Sequence, residues 1–186
     1  MWLWNRSAIN DSELEVDCID KCTGHVERVR ELLQQNSTVI DSHRFNTFTG
    51  DFMDVGWKPQ KKYDIVVVSA VLHFYKSKEI IDFVRKIHSF LNDSGIVIMS
   101  NISNKITPLT QLISNLVDEW SHWYDGINYL SSEKMHEICS EVDYKILSNQ
   151  YVGSTNDADM NNYEVYPWYT GGLNIKKCIL HTVLTK

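Results

Sequence analysis

The chain has 186 residues, 43% of them hydrophobic, so it can bury the core of one ordinary domain and is short for two. Eighteen Lys and Arg against 24 Asp and Glu give a net charge of −6, which argues against a nucleic-acid partner, because phosphate binding draws on basic patches. No apolar run is long enough to span a membrane, and the opening MWLWNR has neither the h-region nor the cleavage site of a signal peptide, so a soluble, cytoplasmic protein is expected.

Leu14 to Ile19 is a short apolar run closing on Asp20, a strand pattern. Val26, Val29, Leu32 and Leu33 recur at helical spacing over Val26 to Gln35. Phe45 to Thr49 alternates as a half-buried strand and stops at Gly50 and Asp51. A polar loop follows from Gly56 to Lys62, in which Lys58, Lys61 and Lys62 read as a solvated basic cluster. Tyr63 to Ser69 is a β-branched run of the kind found in a central parallel strand. Ile80, Ile81, Val84, Ile87, Phe90 and Leu91 mark one face of an amphipathic helix, ended by a glycine turn at Asn92 to Gly95. Ile96 to Met99 is another buried strand. Helices are expected over Leu109 to Trp123 and over Ser131 to Val142, the latter N-capped by Ser131 or Ser132. Tyr144 to Tyr151 and Lys177 to Leu184 read as closing strands.

No repeat, low-complexity tract or linker divides the chain, so residues 1–186 form a single domain. Strands alternating with helical crossovers imply an α/β fold, a mostly parallel sheet with helices on both faces. The two late strands, joined by a loop containing Gly171 and Gly172, imply a C-terminal antiparallel hairpin. Cys18, Cys22, Cys139 and Cys178 form no C-x-x-C pair and have no His at zinc spacing, so no metal is expected. They read as buried or half-buried thiols in a reducing compartment.

Four segments stand in order: EVDCID at Glu15 to Asp20, TGDF at Thr49 to Phe52, YDIVVVSAVLH at Tyr63 to His73, and LNDSGIVIM at Leu91 to Met99. Together they resemble the class I, Rossmann-like, S-adenosylmethionine-dependent methyltransferases over about residues 13–186. The resemblance implies S-adenosylmethionine as cofactor and methyl transfer to a small-molecule acceptor. It assigns Asp20, closing the second strand, to the cofactor ribose. It assigns Asp51 to the adenine amino group, with Phe52 beside it, at the end of the third strand. Ser69, Ala70 and Val71 are small enough for the backbone to approach the ligand, Leu72 packs on its adenine or methionine portion, and His73 takes a proton or orients the substrate. These positions suit a binding edge, since open α/β sheets bind ligands at the carboxyl ends of their strands. Plainer readings stand beside them. Asp20 ends a strand and caps the next helix, Asp51 is a turn residue, Ser69 is a buried hydroxyl, and His73 is an exposed histidine at a helix start. Trp120, Trp123, Tyr124 and Tyr129 either line an acceptor pocket or face the core, and Gly153 to Tyr169 is a lid or a long hairpin connection.

The family's first strand and its G-x-G loop, which cradles the methionine carboxylate, have no match in the sequence. Gly24, Gly50, Gly56, Gly95 and Gly126 are isolated, and Gly171 and Gly172 come too late. The family spaces that loop roughly 20 residues before the acid of the second strand, and Met1 lies 19 positions before Asp20. The expectation is therefore an N-terminally incomplete domain, a fragment, with the first strand missing. Trp2 to Asn10 would be the remains of the first crossover helix, and an empty slot would separate the second and fourth strands. Activity is doubtful without the loop. The alternative is a non-catalytic methyltransferase-like subunit whose protein partner supplies the missing strand. A nicotinamide-dependent oxidoreductase is disfavoured by the closing hairpin.

Overall fold

Trp2–Asn5 forms strand β1, Glu15–Asp20 forms β2, and Thr23–Gln35 forms helix α1; Arg44–Thr49 and Tyr63–Ser69 are β3 and β4. A 3-10 turn at Leu72–Phe74 leads to helix α2, Ser77–Phe90, which runs directly into β5, Leu91–Ser103. Helix α3, Ser132–Glu141, then precedes β6, Lys145–Val152, and β7, Cys178–Thr185. The computed structural model describes residues 2–5, 15–35, 44–59, 61–103, 130–152 and 178–186. The helix expected over Leu109 to Trp123 lies outside them.

One seven-stranded sheet runs in the order β3-β2-β1-β4-β5-β7-β6. β2 pairs parallel with β3, and β4 pairs parallel with β5. β7 is antiparallel to both β5 and β6, which makes the closing hairpin and leaves β6 pointing the same way as β5. The strands β2 to β6 thus share one direction, opposed by β7 and β1. This is an α/β, parallel-dominated, Rossmann-like sheet.

The slot between β2 and β4 holds β1. Trp2 to Asn5, expected as part of a helix remnant, is extended and pairs antiparallel with both neighbours, Trp2 lying opposite Cys18 and Val67. The reason lies in the neighbours. Each presents a row of backbone donors and acceptors that must be satisfied once buried, and an antiparallel ladder does this at least as well as a parallel one. Among the described residues, no strand of the parallel sense stands there. Because β1 is reversed, its amino end lies with the carboxyl ends of β2 and β4.

The core follows the hydrophobic periods. On β4, Val66 and Val68 are fully buried, as are Val97 and Met99 on β5. Ile80, Phe83, Val84 and Ile87 on α2 are likewise 0% exposed, at the i, i+3, i+4, i+7 spacing of one helix face. Each such side chain contributes roughly 1.5–3 kcal/mol by leaving water. The N–H of Lys76 donates to Glu79 Oε2 at 2.8 Å at the start of α2, and Ser131 Oγ accepts from Lys134 N at 3.1 Å as the N-cap of α3.

Two sequence expectations change here. The helix α2 does not end in a glycine turn; Leu91 is already extended, and Asn92 to Gly95 form an irregularity within β5, between the Tyr63–Leu91 and Ile65–Ile96 pairs. Gly95 is needed for space, since a Cβ there would lie 2.6 Å from Leu91 Cγ and 2.9 Å from Asn92 O. Lys61 is also not a solvated lysine. Its Nζ lies 2.6 Å from Glu15 Oε1 and 3.3 Å from Asp17 Oδ2. Asp17 is 5% exposed and accepts from Tyr63 Oη at 2.5 Å and Asn46 Nδ2 at 2.8 Å, so this buried carboxylate ties β2, β3 and β4 together.

Candidate functional site

Three strands pointing the same way, β2, β3 and β4, end at one edge of the sheet, and the sequence-selected residues sit at those ends. Asp20 is the last residue of β2 and pairs with Thr49, the last of β3. The Gly50 N–H then donates to Asp20 O at 3.0 Å, which holds Asp51 one residue further along beside the end of β2. The fold therefore brings Asp20 and Asp51 to neighbouring positions at the carboxyl ends of β2 and β3.

Each acid uses one oxygen to shape its own turn. Asp20 Oδ1 accepts from Cys22 N at 2.7 Å, and Asp51 Oδ1 accepts from Met53 N at 2.8 Å. Both are Asx turns, and both redirect the chain after a strand. Cys22 is exposed, and its carbonyl accepts from His25 N and Val26 N at the start of α1. The second oxygens differ. Asp20 Oδ2 has His25 Nδ1 at 3.4 Å, with 36% of the Asp20 side chain exposed. Asp51 Oδ2 has no hydrogen-bond partner among the described residues, while Tyr75 Oη donates to Oδ1 at 3.3 Å. Each acid thus shapes the turn after its strand, Asp20 through Cys22 N ahead of α1, and each keeps acceptor capacity.

Ser69 closes β4 and is exposed rather than a buried hydroxyl. Ala70 follows at φ 52°, a left-handed conformation uncommon for a residue with a Cβ, and its N–H donates to Ser100 O at 2.8 Å. That kink turns the chain sharply away from the sheet edge and leaves Ser69 and Ala70 open to it. The side chain of Phe52, in contrast, is committed to the core. It is 5% exposed, with ring centroids 4.5 Å from Phe83, 5.3 Å from Trp57 and 5.7 Å from Phe90. Lys86 Nζ donates to the carbonyls of Phe52 at 2.6 Å and Asp54 at 2.8 Å, stapling the turn that carries Asp51 onto α2. Burial lowers the pKa of Lys86.

Leu72 is fully buried, and His73, expected as an exposed histidine in its plainer reading, is only 3% exposed, its ring 4.0 Å from that of Phe74. Tyr75 escaped the sequence reading because its partner Asp51 lies 24 positions away in the chain. Burial, then the Asp51 charge and the hydrogen bond to it, raise its pKa, so its hydroxyl stays a donor at ordinary pH. Trp120, Trp123, Tyr124, Tyr129 and the segment Gly153 to Tyr169 lie outside the described residues. Between β2 and β4 this edge receives the amino end of β1 and no glycine-rich turn among the described residues.

This donor and acceptor set fits a nucleoside. Two neighbouring carboxylates suit ribose hydroxyls and an exocyclic amine, and small residues at the end of β4 permit close approach.

A family model described as a methyltransferase domain matches residues 8–149. No match was found among curated proteins. Among solved structures, a magnesium protoporphyrin IX methyltransferase from Synechocystis PCC 6803 with bound SAH is 14% identical, with a TM-score of 0.52 over 90% of this chain and 63% of that one. An O-methyltransferase from neocarzinostatin biosynthesis, in complex with S-adenosyl-L-homocysteine and 1,4-dihydroxy-2-naphthoic acid, is 12% identical, with a TM-score of 0.57 over 91% and 41%. A putative methyltransferase from Bacillus halodurans C-125 is 11% identical, with a TM-score of 0.60 over 91% and 80%. At these identities the likeness is one of fold. The chain spans less than two thirds of the first two.

Proposed function

Because the chain belongs to the methyltransferase domain family, we propose that it binds S-adenosylmethionine at the carboxyl edge of β2, β3 and β4 and serves methyl transfer to a small-molecule acceptor. The observation that carries this reading is the pair of acids closing β2 and β3, each with one oxygen spent on its own turn and acceptor capacity left over. Asp20 accepts the ribose hydroxyls, and Asp51 accepts from the adenine amino group. Ser69 and Ala70 form the wall against which the ligand lies, and the turn at Asp51 and Phe52 contributes through its backbone. The bound cofactor supplies an activated methyl group, so the chain's task is alignment rather than strong acid–base chemistry. His73 lies in the 3-10 turn after β4, where it orients the acceptor; its burial fits a positioning role better than free exchange of protons with solvent.

A second reading, binding without catalysis, is favoured by one observation. The reversed β1 brings its amino end to the place where a parallel strand would deliver a glycine-rich turn to the methionine carboxylate. Titration calorimetry of the purified chain with S-adenosylhomocysteine and, separately, NAD tests the proposal. Binding of the first alone is expected. Preference for NAD, or silence toward both from folded protein, would refute it. A methyl-release assay with the bound donor then separates catalysis from binding alone.

A further inference from the structure

The hydrogen bond from Tyr75 to Asp51 links the turn after β3 to the turn after β4, whose side chains Phe52 and Tyr75 both pack on Phe83. Tyr75 leaves β4 through the 3-10 turn, where its N–H donates to Leu72 O at 3.1 Å, and its ring packs 5.4 Å from that of Phe83. Anchored on the β4 side, its hydroxyl reaches Asp51 on the β3 side. Asp51 Oδ1 thus receives two donors, Met53 N at 2.8 Å and Tyr75 Oη at 3.3 Å, and Oδ2 receives none among the described residues. A carboxylate held by one oxygen has its torsion restricted and presents the other oxygen in one direction. The donors are a neutral amide and a neutral hydroxyl, so the negative charge is oriented without being neutralised.

We infer that Tyr75 is a positioning residue for nucleobase selection: through Asp51 Oδ1 it aims Oδ2 at a 6-amino group and so selects adenine over a 6-oxo purine. This rests on the cofactor reading above and names a determinant of that site's specificity. A 6-amino group donates to Oδ2; a 6-oxo group offers only lone pairs to the same oxygen and is repelled. Aim matters because hydrogen bonds weaken steeply as they bend.

The test is calorimetry on the full chain with S-adenosylhomocysteine and S-inosylhomocysteine, whose 6-amino group is replaced by oxygen. The wild type is expected to prefer the adenosyl ligand by at least about 10-fold. Tyr75→Phe keeps the ring and should weaken the adenosyl ligand about 3- to 10-fold while leaving the inosyl ligand nearly unchanged, so that the ratio shrinks. Asp51→Asn should abolish the preference, and Tyr75→Phe added to it should change nothing further, as required of a residue acting through Asp51. Equal weakening of both ligands by Tyr75→Phe, or an unchanged ratio, overturns the inference and leaves the cofactor reading standing. A wild type that binds neither ligand removes both. Should Tyr75→Phe fail to fold, the wild-type preference and its loss in Asp51→Asn still decide whether Asp51 reads the 6-position, and persistence of the preference in Asp51→Asn overturns the inference.

Discussion

Replacing Asp20 by asparagine separates its two roles. An asparagine oxygen still accepts the Cys22 N–H now held at 2.7 Å, so the turn into α1 survives and stability should change by less than about 0.5 kcal/mol. The lost charge falls on the ligand side. Hydrogen bonds to a charged acceptor contribute about 1.5–3 kcal/mol each. With 36% of the side chain exposed, water screens part of this. A net loss of about 2–3 kcal/mol, or roughly 30- to 150-fold in affinity for S-adenosylhomocysteine, follows. Asp20→Ala removes the turn acceptor as well and should add about 1 kcal/mol of destabilisation, roughly 2–4 °C in a domain of this size. The assay is calorimetric titration paired with thermal melts of both variants. If Asp20→Asn melts like the wild type and binds within about threefold of it, Asp20 is a turn residue only and the ribose assignment fails.

Tyr63→Phe leaves the buried Asp17 carboxylate with Asn46 and Lys61 but removes its 2.5 Å phenolic donor, so urea unfolding should show a loss of about 1.5–3 kcal/mol, and an unchanged midpoint would contradict the view that Asp17 ties the strands together. Gly95→Ala forces a Cβ to within 2.9 Å of the Asn92 carbonyl and against fully buried Leu91, and is expected to destabilise by about 1–3 kcal/mol in the same assay, where a neutral result would mean that the β5 irregularity yields easily. Burial holds the Cys139 thiol at about 12, above its ordinary 9.0. The folded state therefore keeps a proton that the unfolded chain releases, so this contribution is whole below pH 9.0 and is lost as pH rises toward about 12. Urea midpoints should fall over that window, less steeply in Cys139→Val; equal slopes would refute the assignment. In native protein at pH 8, a thiol reagent should label exposed Cys22 and spare Cys139, and equal rates would contradict the burial.

Much of the fold was legible because its signals are local. The β-branched run Tyr63 to Ser69 became β4 with the same bounds, and the apolar spacing from Ile80 onward became the buried face of α2. Acids at strand ends were legible for the same reason: Asp20 and Asp51 each follow an apolar or alternating run. Tyr75 and Lys61 were not, since their partners lie far along the chain, Tyr75 and Asp51 being 24 positions apart. The direction of the Phe52 side chain was not legible either. It follows Asp51 in sequence, but a residue beside a turn can face either way, and its ring faces Phe83 and Trp57.

Among the described residues, the sequence by itself determined the order of elements from β2 onward, the closing hairpin and the placing of two acids at strand ends, because residue spacing and strand-end chemistry are properties of the chain alone. Tertiary structure alone decided what fills mid-sheet and how. Nothing in MWLWN distinguishes a helix remnant from a strand, nor a parallel strand from an antiparallel one. That choice belongs to the free backbone edges of β2 and β4, which meet only after the chain has folded and which β1 satisfies running in reverse.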